Sequence, residues 1–213
     1  MGDPRITEAA ADAKPSSRRA VFYFDLGSPY AYLSAERISA LFTEAELEQP
    51  EWQPILLGGL FHRFDRGSWA ETPARAEGMA EIERRAAEYG LPPLAWPKPW
   101  PGNTLVAMRA ATFAKQTGRT ISFSLAAFRQ AFAAGRDLTD VDNVTIAAAA
   151  CELHPRALLK GVETAAVKGA LREATDRAGD LGVEGVPAVV VGDEVFWGDD
   201  RLEDAVAAAG HRA

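Results

Sequence analysis

Thiols are almost missing from this sequence: Cys151 is its one cysteine among 213 residues. Dithiol exchange needs a nucleophilic thiol with a resolving partner close by, so a Cys-x-x-Cys redox site is excluded, as is a disulfide-stapled core. Cys151 itself lies in the apolar helical pattern around Ile146 to Leu153, where a buried structural cysteine is the commoner outcome. Histidine is nearly as scarce. His62, His154 and His211 share no ligand spacing with one another, with the cysteine or with a nearby carboxylate, and no metal is expected. His154 and His211 read as junction and tail residues, while His62, just after Gly58-Gly59-Leu60-Phe61, reads either as a solvated loop residue or as a neighbour of a binding site. No run approaches the ~20 apolar residues of a spanning helix, so no membrane association is expected. Basic residues are outnumbered 23 to 30, a net charge of −7, which argues against a nucleic-acid partner. The start lacks the basic-then-apolar design of a secretory signal, and a reducing cytoplasm is the expected compartment.

What is present begins with Val21-Phe-Tyr-Phe-Asp-Leu-Gly-Ser-Pro-Tyr-Ala-Tyr-Leu33, an apolar strand running through Gly27-Ser28-Pro29 into a helical pattern. Ser28 suits an N-cap, and Pro29 suits the first helical position, where a missing N–H costs nothing. Such a turn either caps the helix and no more, or uses the helix N-terminus and the hydroxyl to hold an anion. A second segment, Gly182 to Gly198, reads as two β-branched runs joined by a Gly192-Asp193 turn, a late hairpin. Pro187 marks a strand start, and a cis Val186–Pro187 bond suits that place.

Between these segments the pattern predicts a strand over Ala20–Leu26 and a helix over Ser28–Phe42 that buries members of Tyr32, Leu33, Ile38 and Phe42. A second strand, Glu51–Leu57, runs parallel to the first, with Pro54 asking for an edge or a bulge. Met79, Ile82, Ala86 and Tyr89 recur at helical spacing, as do Ile121, Leu125, Phe128 and Phe132. The stretch Pro92–Pro101, with its interleaved tryptophans, is a rigid connector, and Asn103 or Thr104 caps the next helix. Asp140 to Asn143 offer caps for the segment ending near Cys151, and a long amphipathic helix covers Val167–Leu181. Residues 1–19, rich in Ala, Pro, Ser and charge, are expected to be a flexible leader.

Five landmarks carry a resemblance in order along the chain: Phe24-Asp25 through Ser28-Pro29-Tyr30; Leu56 to Phe61; Asn103-Thr104-Leu105 with Met108-Arg109; Gly185-Val186-Pro187; and Gly198-Asp199-Asp200-Arg201-Leu202. Over about residues 20–209 the chain resembles the thioredoxin superfamily, in the branch that holds the Dsb-type oxidoreductases, the 2-hydroxychromene-2-carboxylate isomerases and the kappa-class glutathione transferases. That resemblance implies an α/β, thioredoxin-like fold made of residues 20–57 and 170–209, with a large inserted α-helical subdomain over 58–169. Where a Dsb-type oxidase places its two cysteines, this chain has Ser28 and Ala31.

The resemblance also implies a thiol supplied from outside: glutathione or another low-molecular-weight thiol, with no metal. Ser28 matches the family residue that stabilises the cofactor thiolate. The backbone of Val186, before Pro187, matches the strand that pairs with the cofactor's cysteinyl part. Asp200 matches an acidic position that pairs with the γ-glutamyl amino group, Asp199 stands where serine is usual, and Arg75 matches a lysine that holds a carboxylate. The family's Gly-Asn pair after the Gly-Gly loop is Asp65-Arg66 here. Tyr30, Trp100 and Asn103 match positions near an aromatic or unsaturated substrate, and a homodimer is compatible with the branch. The activity implied is that of a thiol-dependent isomerase, the alternatives being a kappa-like transferase or a non-catalytic thiol- or peptide-binding module.

Overall fold

The computed structural model describes residues 19–211, so the leader expected over 1–19 lies, apart from Arg19, outside the described residues. A four-stranded mixed sheet of order β2-β1-β3-β4 is built from β1 (Val21–Phe24), β2 (Glu51–Pro54), β3 (Ala188–Val191) and β4 (Glu194–Trp197). β1 runs parallel to β2 and antiparallel to β3, and β3 and β4 form the expected hairpin. Strand alternation sends successive side chains to opposite faces. Phe22, Phe24, Val189, Val191 and Phe196 join one apolar core, while Tyr23, Val186, Ala188 and Val190 join another.

The first core lies against α1 (Pro29–Glu44), α9 (Leu202–Gly210) and helices of the insertion: α4 (Leu105–Gln116), α5 (Thr120–Phe128) and α6 (Val141–Ala150). The second lies against α2 (Leu57–Arg63) and α8 (Ala165–Asp180). α3 (Arg75–Glu88) and α7 (Pro155–Gly161) complete the α-helices among the described residues. Aromatic rings bind the sheet to this layer. Trp52 meets Phe22 and Phe24 edge-on at centroid distances of 5.0 and 5.7 Å, and Phe24 lies 5.9 Å from Phe128 of α5. Sheet and insertion therefore share one continuous apolar core.

Pro54 ends β2, an edge strand, where its missing N–H disturbs no ladder. The strand expected over Glu51–Leu57 stops there, because Leu57 already begins α2. No local side chain caps that helix. Its first N–H groups are taken from afar, Leu56 N–H by Thr175 Oγ1 at 3.0 Å and Leu57 N–H by Asp25 Oδ2 at 2.9 Å. Gly59 allows the close approach, since a Cβ there would meet Thr175 Cγ2 at 2.9 Å.

The helix expected from Ile121 onward also differs in phase. Phe128 and Phe132 are buried, but Ile121 is exposed and Phe123 takes the inward place. Ile121 lies in the first turn of α5, beyond the edge of the core; a π-turn over Arg129–Ala133, closed by Ala134 N–H to Arg129 O at 2.9 Å, follows the helix.

Candidate active site

Asp25, Gly27 and Ser28 form the turn between β1 and α1. Ser28 is the N-cap of α1: its Oγ accepts the Ala31 N–H at 3.2 Å, and its own N–H donates to Asp25 O at 3.0 Å. An oxygen used as an acceptor keeps its proton for donation elsewhere. Pro29 has no N–H, and the Tyr32 N–H returns to Ser28 O. The Tyr30 N–H is thus the first-turn donor left without a protein acceptor among the described residues. The turn offers an anion a hydroxyl, a backbone N–H and the positive end of a helix dipole.

Beneath it sits Asp25, 5% exposed, a residue that no expectation from the sequence placed in the site on its own account. Its Oδ1 accepts from Gly27 N at 2.9 Å and Thr104 Oγ1 at 3.1 Å, and its Oδ2 accepts from Leu57 N at 2.9 Å. One buried carboxylate thereby ties together the Ser28 turn, the start of α2 and the approach to α4. Burial pushes its pKa up, against the pull of these hydrogen bonds.

The turn opens into a cleft of about 800 Å³ whose lining includes Ser28, Tyr30, Trp100, Val186, Pro187, Asp199 and Asp200. Residues from widely separated stretches of sequence thus meet at this one place. The Val186–Pro187 peptide is cis, and Pro187 O accepts the Gly198 N–H at 3.0 Å, which fixes the end of the hairpin against the cleft. One wall is aromatic. Trp100 lies 5.6 Å from Trp69, Trp69 lies 6.1 Å from Tyr30, and Trp100 Nε1 donates to Gly27 O at 3.2 Å. Burial raises the pKa of the Tyr30 phenol above its ordinary value of 10.0, so at neutral pH it is a hydrogen-bond donor.

Arg75 and Asn103 do not line this cleft. The Arg75 guanidinium donates to the Trp100 carbonyl and lies 5.6 Å from the Trp100 ring, so it braces the aromatic wall. Asn103 is exposed, its Oδ1 accepting the Leu105 N–H at 3.0 Å; the neighbouring Thr104 is the residue that faces the cleft. His62 is exposed on α2, outside the lining.

The acidic pair at the head of α9 divides its work. Asp199 is buried, accepting from Arg85 Nη1 at 3.0 Å and from the Tyr89 hydroxyl at 2.8 Å, while its carbonyl accepts from Arg37 Nη1 at 3.0 Å. Burial first, and then the bond to Asp199, pushes the Tyr89 pKa up to about 12. Asp200 is open to solvent, its Oδ2 3.7 Å from Arg85. Trp69, Thr104, Arg66 and Trp197 also line the cleft, beyond the site residues expected from the sequence. An acid at the end of an apolar strand, shortly before a helix cap, was the signal available for Asp25.

Known proteins carry the same architecture. The DSBA-like thioredoxin domain matches residues 19–209. The 2-hydroxychromene-2-carboxylate isomerase of Sphingobium xenophagum is 30% identical over 189 residues, which is 85% of this chain and 93% of that protein. A solved 2-hydroxychromene-2-carboxylate isomerase superposes with a TM-score of 0.81 at 22% identity, covering 90% of this chain and 94% of its own. A probable DsbA oxidoreductase from Streptomyces coelicolor gives a TM-score of 0.69 at 22% identity, over 91% of this chain and 89% of its own. By sequence and by fold, the chain belongs to the DSBA-like thioredoxin domain family, in the branch of the 2-hydroxychromene-2-carboxylate isomerases.

Proposed function

We propose that the chain is a thiol-dependent isomerase that acts on a small aromatic, unsaturated substrate, with glutathione or a similar low-molecular-weight thiol as its cofactor. The carrying observation is the turn at Ser28, where a hydroxyl and the Tyr30 N–H, without a protein acceptor among the described residues, meet in a cleft that also holds Val186 and Pro187. These donors fit a thiolate, and the chain supplies no sulfur of its own, since Cys151 is buried at the end of α6 with its thiol directed at Ala147 O and Ala148 O. A bound thiol supplies a nucleophile that adds reversibly to an unsaturated substrate and frees a double bond to rotate.

The protein's own part is to bind, orient and hold charge. Ser28 Oγ–H and the Tyr30 N–H favour the ionised sulfur, and lowering a thiol pKa of about 8.5 by one unit raises the thiolate fraction roughly tenfold at pH 7. Val186, just outside the ladder that begins at Ala188, offers its backbone for strand-like pairing with a peptide thiol. Asp200 is the acid with room for an amino group. Tyr30, Trp69 and Trp100 give an aromatic substrate flat apolar surfaces, and the Tyr30 hydroxyl, kept protonated, donates to an oxygen that gains charge.

The test is retention on immobilised glutathione, together with the thiol-dependent ultraviolet change of 2-hydroxychromene-2-carboxylate. Retention with turnover is expected. Retention without turnover points to a binding module, and adduct accumulation points to a transferase.

A further inference from the structure

The geometry points to Arg66 as the residue that receives a ligand's carboxylate at the mouth of the cleft, exchanging it for Glu184. This rests on the proposed thiol-dependent function and extends it to a specificity-determining contact. The cationic side chains in the lining are Arg66 and Arg85. Arg85 is committed: it bonds Glu81 at 2.7 Å and buried Asp199 at 3.0 Å. Arg75 is turned to the Trp100 carbonyl, outside the lining. Arg66 is held quite differently. Its Nη2 lies 2.6 Å from Glu184, with the two side chains 41% and 40% exposed, and its guanidinium lies 5.1 Å from the ring of Trp197, which is 48% exposed.

An ion pair so open to water is weak and exchangeable, whereas the guanidinium beside the Trp197 indole offers a planar fork that suits a carboxylate. Glu184 is the carboxylate that Arg66 now holds, from just outside the lining. It immediately precedes Gly185-Val186-Pro187, so a ligand lying along Val186 brings its acid to the same guanidinium. Two carboxylates are candidates under the proposed function, the glycyl carboxylate of the peptide thiol and that of the chromene substrate.

The experiment compares the wild type with Arg66→Met, Arg66→Lys and Glu184→Gln on matched acid and amide probes. These are glutathione against its glycyl amide, read as Kd, and 2-hydroxychromene-2-carboxylate against its carboxamide, read as KM. In one of the two arms, Arg66→Met should weaken the acid about tenfold and leave the amide unchanged, and that arm names the source of the carboxylate. Arg66→Lys should recover part of the loss, and Glu184→Gln should tighten the same acid by removing its competitor. Equal effects on acid and amide, or none on either, overturn the assignment while leaving thiol binding in place; a Glu184→Gln variant no tighter than wild type overturns the exchange. A wild-type chain that neither binds the thiol nor turns over overturns both this inference and the function beneath it.

Discussion

At the level of single residues, the cleft depends on side chains that satisfy the backbone of other elements. Ser28 caps α1 through one hydrogen bond to Ala31, so Ser28→Ala should lower the unfolding free energy by only ~1 kcal/mol in chemical denaturation. Turnover should fall far more than that small loss of stability accounts for. Asp25 makes a sharper prediction. A carboxyl raised on folding binds more protons in the native than in the unfolded state, so its contribution to stability falls as pH climbs from the ordinary value of 3.8 through the raised one. Denaturation of the wild type and of Asp25→Asn across that range should therefore show the wild type's relative stability declining with rising pH. A relative stability that rises would mean that the bonds from Gly27, Leu57 and Thr104 outweigh burial.

Among the elements, the head of α9 shows how one acid can lock a helix while its neighbour stays open to solvent. Asp199 joins α9 to α3 through Arg85 and Tyr89 and to α1 through Arg37. Removing a buried carboxylate with two side-chain donors strands those donors, so Asp199→Ala should cost ~2–4 kcal/mol, against under ~0.5 for Asp200→Ala. If Asp200 holds the cofactor's amino group, only its replacement should weaken thiol binding in a protein of normal stability. Elements with local signals were legible in the sequence: the Ser28-Pro29 start of α1, the parallel pairing of β1 with β2, and the Gly192-Asp193 hairpin. α2 was not, because its caps come from Asp25 and Thr175, distant in sequence. The exposure of Ile121 was not, because it lies in the first turn of α5 and periodicity alone does not say where along a helix the core ends. Arg75 and Asn103 fell outside the cleft for a related reason. Side-chain direction depends on what packs nearby, and both are engaged with their own surroundings, Arg75 with Trp100 and Asn103 with the start of α4.

Taken as one molecule, a thioredoxin-like sheet and its helical insertion share a core beside a cleft that, on the proposed function, takes its sulfur from outside. Burial pushes the Cys151 thiol up, away from reactivity. Cys151→Ser should accordingly leave thiol-dependent turnover unchanged, and the wild type should show no dithiol oxidase activity in an oxidative refolding assay. Whether Ser28 and the first turn of α1 stabilise a bound thiolate is read directly by titrating the thiolate absorbance of bound glutathione in the wild type and in Ser28→Ala. Ionisation ~1–2 pH units below the free thiol in the wild type, returning toward the free value in a variant that still binds, is the predicted result; ionisation at the same pH in both proteins would contradict it.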